Sequence, residues 1–265
     1  MIFEKDNYSY YGEYKCFQMA FFSSIGGRAD QQDSAGFEFT DNGGIAVVCD
    51  GMGGHAGGKL ASSYAVSKSL ELYADRDRMI PINEFLLNSA DSIDRYVNNI
   101  SYPDGTKMQA GSTMVCVVLE RDSLYWLSVG DSRIYLSRND EFVRITTDHN
   151  YLTRLNYGLS SGQITKAEYE AELYKGDALV SFLGVGGMSM IDYNESPFML
   201  KKNDMIILAT DGLYKLISDD QIKSLTDNFS NISDAVQALE LKVRRIAAQN
   251  NIGRDNMTAA IIKIK

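Results

Sequence analysis

Residues 47–58 read VVCDGMGGHAGG: an apolar run, an acid, then five glycines and a histidine within eight positions. Glycine in an ordered loop costs conformational entropy, so such a cluster marks unusual backbone angles or a place where main chain comes close to a ligand. Two readings stand at this point, a strand-to-helix turn that merely contains Asp50 and His55, or a site. The rest of the chain has to decide between them. Upstream, residues 34–40 and 44–49 read as strands around the turn DNGG, which predicts an antiparallel hairpin. Downstream the period changes. Gly57 to about Asp75 and Ile82 to Ile100 read as helices, the second with Leu86, Ala90, Ile93, Val97 and Ile100 on one face.

Farther out, YKCFQMAFFSS at 14–24 reads as one strand. After Gly111, the runs STMVCVVLE, SLYWLSV, RIYLSR and EFVRIT are rich in branched and aromatic residues, and their short links predict antiparallel neighbours. Residues 147–195 are less regular, and NYGLSSGQITKAEYEAELYKGD places a short helix signal inside a polar segment of the kind that forms a flap. KNDMIILATDGLYKL returns to strand. Ser218 and Ser233 stand where N-caps would start helices, the second carrying Val236, Leu239, Val243 and Ile246, and MTAAIIKIK closes the chain as a strand. With three prolines, no repeat and no linker, one domain over 1–265 is expected. The block pattern predicts an α+β fold, two antiparallel sheets packed face to face with helices outside them.

Composition narrows the class. Net charge is -9, which argues against a nucleic-acid backbone as partner. No apolar run approaches the roughly 20 residues of a membrane span, and MIFEKDNYSYYGEY lacks the features of a signal peptide, so a cytoplasmic protein without membrane contact is expected. Cys16, Cys49 and Cys116 are scattered inside strand-like runs and read as buried free thiols.

Four acids share one local pattern. Asp50 ends GIAVVCD, Asp131 follows WLSVG, Asp211 ends MIILAT and Asp255 precedes NMTAAIIKI. Next to glycine, any one of them is an ordinary turn former. Four at strand ends can meet at one sheet edge, where they would repel one another unless cations lay between them. Hard ions such as magnesium or manganese suit oxygen donors of this kind.

Six motifs then occur in order: IGGRADQQD (25–33), VVCDGMGGHAGG (47–58), GSTMVCVV (111–118), VGDSRIY (129–135), ATDGLY (209–214) and RDNMTAAII (254–262). Together they resemble the metal-dependent serine/threonine protein phosphatases, the PPM or type 2C family, and most of all its bacterial single-domain members. The resemblance runs from about residue 14 to the end and implies a four-layer αββα sandwich with helix pairs outside two antiparallel sheets.

It also implies roles. Asp50 would bridge two manganese or magnesium ions, the Gly51 carbonyl would bind one of them, and Asp211 and Asp255 the other. Asp33 would hold metal-bound waters or act as an outer ligand, and Asp131 with Asp211 would hold a third, weaker ion. Arg28 would contact the phosphate, and His55 would be the general acid to the departing alkoxide or a group that orients water. His149 is expected to fix a loop. The sequence departs from the family pattern at Gln31, where asparagine is usual, and at Ser181, where arginine is more frequent; the second bears on the flap, roughly 150–180.

The function implied is hydrolysis of phosphoserine or phosphothreonine by a water shared between two metals, with phosphorylated proteins as substrates and a cognate serine/threonine kinase as counterpart. A monomer is expected. A catalytically silent binding or sensing relative and a hydrolase of small phosphomonoesters are the alternatives.

Overall fold

The computed structural model describes residues 1–3, 6–54 and 56–265. The chain opens with strands β1 (Ile2–Phe3), β2 (Asn7–Glu13) and β3 (Phe17–Ser24), then the expected hairpin of β4 (Asp33–Thr40) and β5 (Gly43–Met52). Helices α1 (Gly57–Ala74) and α2 (Ile82–Asn98) follow, then β6 (Gly111–Ser112), β7 (Met114–Glu120), β8 (Ser123–Val129), β9 (Arg133–Arg138) and β10 (Glu141–Arg144). The irregular stretch contains α3 (Tyr151–Ser160) and α4 (Lys166–Glu172), and leads to β11 (Asp192–Tyr193) and β12 (Phe198–Met199). Strand β13 (Met205–Ala209), helices α5 (Asp211–Tyr214), α6 (Asp219–Asp227) and α7 (Ile232–Asn250), and β14 (Met257–Ile264) complete the chain.

Two antiparallel sheets result. One runs β1-β4-β5-β7-β8-β11, with β6 added to β5 and β12 to β8; the other runs β10-β9-β13-β14-β3-β2. The strand sequences explain why both faces of each sheet are covered. On β5, Ile45, Val47 and Cys49 face α1 and α2, while Ala46 and Val48 face the opposite sheet. On β14, Ala260 and Ile262 join that same space between the sheets, while Met257, Ala259 and Ile261 pack on Val236, Leu239 and Val243 of α7. Alternation with both sets apolar is the signature of a strand buried on two faces. Three apolar layers therefore separate four structural layers, as expected.

Four expectations need correction. Residues 14–24 are not one strand: Tyr14, Lys15 and Cys16 form the turn between β2 and β3, which leaves Cys16 exposed, whereas Cys49 and Cys116 are buried free thiols. Strands β8 and β9 are sequence neighbours yet lie in different sheets, because Gly130, at φ +97°, turns the chain across the sandwich instead of back along it. Asn231 caps α7, its side chain accepting from the Ser233 N–H, so Ser233 is inside the helix; Ser218 does cap α6. The stretch 147–195 is more ordered than expected, with Thr165 and Glu168 forming a capping box on α4.

Candidate metal centre

The centre is built where the two sheets end on the same side. In the β4–β5 ladder Asp33 stands opposite Asp50. The Asp50 N–H donates to Thr113 Oγ1 (2.9 Å), the Thr113 N–H returns to the Asp50 carbonyl (2.9 Å), and Thr113 Oγ1 meets Ser132 Oγ at 2.7 Å. From the other sheet, Thr210 at the end of β13 donates its hydroxyl to Asp33 Oδ2 at 2.9 Å and accepts the Thr258 N–H at 2.9 Å. One hydroxyl thus ties the sheets together beneath the acids, and Asp211 follows directly as the first residue of α5. Asp255 comes in just before β14. Its neighbour Asn256 accepts the Gln32 N–H (2.8 Å) and donates to the carbonyls of Ile25 (2.9 Å) and Asp30 (3.0 Å), which fixes the loop carrying Arg28.

Together Arg28, Asp50, Gly51, Asp211, Asp255 and Asn256 line a cavity of about 360 Å³. Asp33 is buried beneath it and Asp131 is buried beside Asp211 without lining it. His55 lies outside the described residues.

The acids bear the marks of crowding. Burial pushes the Asp33 carboxyl up to about 7, with Asp211 and Asp255 adding to the shift and the Thr210 and Thr258 hydroxyls opposing it. Among the described residues Asp33 Oδ1 has no hydrogen-bond partner. Asp50 is held well above the usual carboxylate range, first by burial and then by the charges of Asp33, Asp211 and Asp131. Asp131 rises to about 6 through burial and the Asp211 charge, with Lys215 pulling the other way. Among the described residues, cations reach only the edge of this group. Arg28 Nη2 pairs with Asp255 Oδ2 at 2.5 Å and Lys215 Nζ with Asp211 Oδ2 at 2.6 Å; among the described residues neither Asp33 nor Asp50 has an ion pair.

Among the described residues no three acidic, histidine or cysteine side chains already close on one point as a complete cage. A hard divalent ion needs less: one or two carboxylates, a carbonyl and several waters suffice for magnesium or manganese. The donors here are carboxylate and carbonyl oxygens, and an orphaned buried carboxylate oxygen lies under them, so the residues present fit such an ion. The opening glycines are explained by distance as well. A Cβ on Gly51 would lie 2.2 Å from the Gly58 carbonyl oxygen and 2.7 Å from that of Gln32, so the main chain folds around residue 51 more tightly than any side chain allows.

His149 has the structural place expected. It is fully buried, its Nδ1 accepts the Gly130 N–H (3.1 Å) and its backbone N–H donates to the Gly130 carbonyl (2.9 Å), locking the sheet crossing just before Asp131. The ring proton then sits on Nε2, 3.4 Å from Asp192 Oδ1 and without a well-aligned acceptor. Gln31 is buried, its Oε1 accepting the Asp33 N–H (3.1 Å) and its Nε2 donating to Ser23 Oγ (3.0 Å). Ser181 is buried and donates its hydroxyl to the Met190 carbonyl (2.7 Å), which closes the loop between them.

Three residues of the centre were not singled out from the sequence: Thr210, Asn256 and Lys215. The signal for the first two was their position, each directly adjoining an acid at a strand end.

The protein phosphatase 2C family model matches residues 23–246. Protein phosphatase PhpP of Streptococcus pneumoniae is 27% identical over 222 residues, covering 83% of this chain and 85% of the relative. A serine/threonine phosphatase of S. agalactiae has the same fold at a TM-score of 0.79, with 24% identity, and the match covers 94% of this chain and all of that one. The catalytic domain of the serine/threonine protein phosphatase PstP, solved with two manganese ions, matches at a TM-score of 0.69 with 23% identity, over 94% of this chain and 98% of that one. With its motifs in order, its two sheets stacked between helices and its acids gathered at one end, the chain belongs to the protein phosphatase 2C family.

Proposed function

We propose that this protein-serine/threonine phosphatase hydrolyses phosphoserine and phosphothreonine in proteins at the mouth formed by Asp50, Gly51, Asp211 and Asp255. The observation that carries the reading is the convergence of these acids over the unpartnered, buried Asp33 Oδ1, with one exposed arginine at the rim. Asp50, the Gly51 carbonyl, Asp211 and Asp255 would hold two manganese or magnesium ions, with Asp33 behind them. When bound, such a pair of ions lowers the pKa of a water between them and offsets charge on the phosphoryl oxygens.

The chain's own residues supply the rest. Arg28, with its side chain 59% exposed, turns from Asp255 to grip two phosphoryl oxygens with its planar fork. Asn256 and Gln32 keep the Arg28 loop in register with β4, so the phosphate is held in line with the acids. His55 is the candidate proton donor to the departing serine or threonine oxygen.

A protein substrate is favoured over a small phosphomonoester by a groove next to the mouth. Met52 lines both, and Met108, Ala110 and Phe182 give the groove, about 550 Å³, a largely apolar wall suited to residues flanking the phosphorylated one. The same reading takes 1–265 as one domain acting as a monomer, with about 150–180 as a flap and products of a serine/threonine kinase as substrates. Among the described residues no helix is long and apolar enough to cross a membrane.

The test is hydrolysis of a phosphothreonine peptide and of a small phosphomonoester, each with manganese, with magnesium and with chelator, by wild type and Asp211→Asn. Turnover of the peptide that chelator and Asp211→Asn both abolish is expected. A folded, metal-loaded protein without turnover would transfer the weight to a silent binding role, and faster turnover of the small ester would overturn the substrate class.

A further inference from the structure

We propose that Lys215 is a built-in cation for the Asp131–Asp211 carboxylate pair, and that it takes the place of a third divalent ion there. The inference rests on the two-metal reading of the mouth and goes beyond it.

The chain's positive charges are distributed unevenly around the acids. Arg28 reaches Asp255 from the exposed rim. Lys215 is different: it caps the C-terminal end of α5, four positions after Asp211, and that spacing returns its ammonium over the Asp211 carboxylate, with Nζ 2.6 Å from Oδ2. The turn is held at both ends. The Lys215 N–H donates to the Asp211 carbonyl at 3.0 Å, and the preceding Tyr214 donates its hydroxyl to the Asp131 carbonyl at 2.9 Å. Tyr214 is itself pinned, because the Arg133 guanidinium lies 3.6 Å above its ring while gripping Asp148 with two hydrogen bonds of 2.9 and 2.7 Å. Helix α5 is therefore fastened to the loop that carries Asp131, and Lys215 is carried with it.

The other charges near Asp131 are already engaged. Asp148 is satisfied by Arg133 and Arg144 and leaves neither arginine for Asp131. Among the described residues Lys215 is the cation that acts on both acids: its charge favours ionised Asp131, and both acids in turn hold the lysine in its charged form against partial burial. Two carboxylates and one ammonium leave a single net negative charge, which a divalent ion would enter against the repulsion of the ammonium and at an Asp211 oxygen already taken. The arrangement differs on the Asp50 side, where no ion pair occurs among the described residues and external cations are needed.

Manganese binding measured by calorimetry and by equilibrium dialysis with elemental analysis tests this without reference to turnover. Wild type and Lys215→Arg should bind two equivalents. Lys215→Met and Lys215→Gln should each bind a further equivalent, at least about tenfold more tightly than any additional manganese on wild type, as removal of one charge at close range allows. Adding Asp131→Asn to Lys215→Met should abolish that gain. Equal counts and affinities in wild type and both uncharged variants would overturn the role of Lys215, as would a tightly held third equivalent on wild type. Failure of every protein to bind manganese would instead overturn the two-metal reading beneath it. Lys215 is half-exposed, and melting curves with chelator confirm that each variant is folded.

Discussion

Asp33 and Asp50 face each other directly across the β4–β5 ladder, on strands whose backbones are hydrogen-bonded to one another. Like charges opposite one another destabilise a sheet, and here one carboxylate is 2% exposed with an oxygen that has no hydrogen-bond partner among the described residues. The fold therefore carries a cost at this point that cations entering the mouth would relieve.

Replacing Asp33 by Asn removes one of the opposed charges while leaving an oxygen to accept the Thr210 hydroxyl. Without metal the variant should be more stable than wild type at neutral pH, by about 1–3 kcal/mol, because burial raises the folded Asp33 carboxyl to about 7 and its ionisation is disfavoured only in the folded state. The rise in melting temperature produced by manganese should shrink, because less charge remains to be compensated. Thermal melts with chelator and with manganese measure both. A metal-free Asp33→Asn protein less stable than wild type would show that the pair is not strained.

Gly51→Ala follows from the distances around residue 51. The added carbon would meet two carbonyl oxygens of the backbone, Gly58 at 2.2 Å and Gln32 at 2.7 Å, and neither can swing aside as a side chain would. The main chain must shift, at a cost of about 1–3 kcal/mol, the range for overpacking. Because the carbonyl of the same residue is a proposed ligand, manganese affinity should fall as well. A variant with unchanged stability and unchanged affinity would separate the glycine from the site.

Much of this was legible because burial on two faces writes itself into a strand: GIAVVCD, MVCVVLE and MIILA could be nothing but interior strands, and each ends at or near an acid. The crossing at Gly130 was not legible. VGDSR reads as a hairpin link, and only the long-range pairing of β9 with β13 shows that the chain leaves its sheet there. The cross-sheet bonds of Thr210 and Asn256, to residues 177 and 224 positions away, were equally invisible to local pattern. The pairing of Lys215 with Asp211 could have been read from its i,i+4 spacing alone.

Asp192 offers a pH test away from the proposed ligands. Its Oδ2 accepts the Thr147 N–H and its Oδ1 faces His149 Nε2–H, so both oxygens look at donors. Asparagine can satisfy only one of them, and Asp192→Asn should cost about 1–3 kcal/mol at neutral pH. Partial burial pushes the Asp192 carboxyl up, yet the His149 and Thr147 donors hold it below its ordinary value of 3.8. For an acid depressed in the folded state, the stabilisation is present above the unfolded value and is lost as pH falls through the folded one. The stability gap between wild type and variant should accordingly be full at pH 7 and close below about pH 4. A gap of constant size down to low pH would show that the loss is one of packing.

Arg28→Ala distinguishes phosphate recognition from metal retention. The guanidinium pairs with Asp255 at 2.5 Å in the absence of substrate, so in the proposed cycle it must exchange that carboxylate for phosphoryl oxygens. Losing a charge-assisted pair of hydrogen bonds to an anion is worth about 1.5–3 kcal/mol, or roughly ten- to a hundredfold in KM for a phosphothreonine peptide. Manganese affinity should hold or improve, since Asp255 is freed from its competitor. The Arg28→Lys variant keeps the charge without the planar fork and should recover only part of the KM. If Arg28→Ala instead left KM unchanged and weakened manganese binding, the arginine would be a support for Asp255 and the phosphate would have to be held by another group at the mouth.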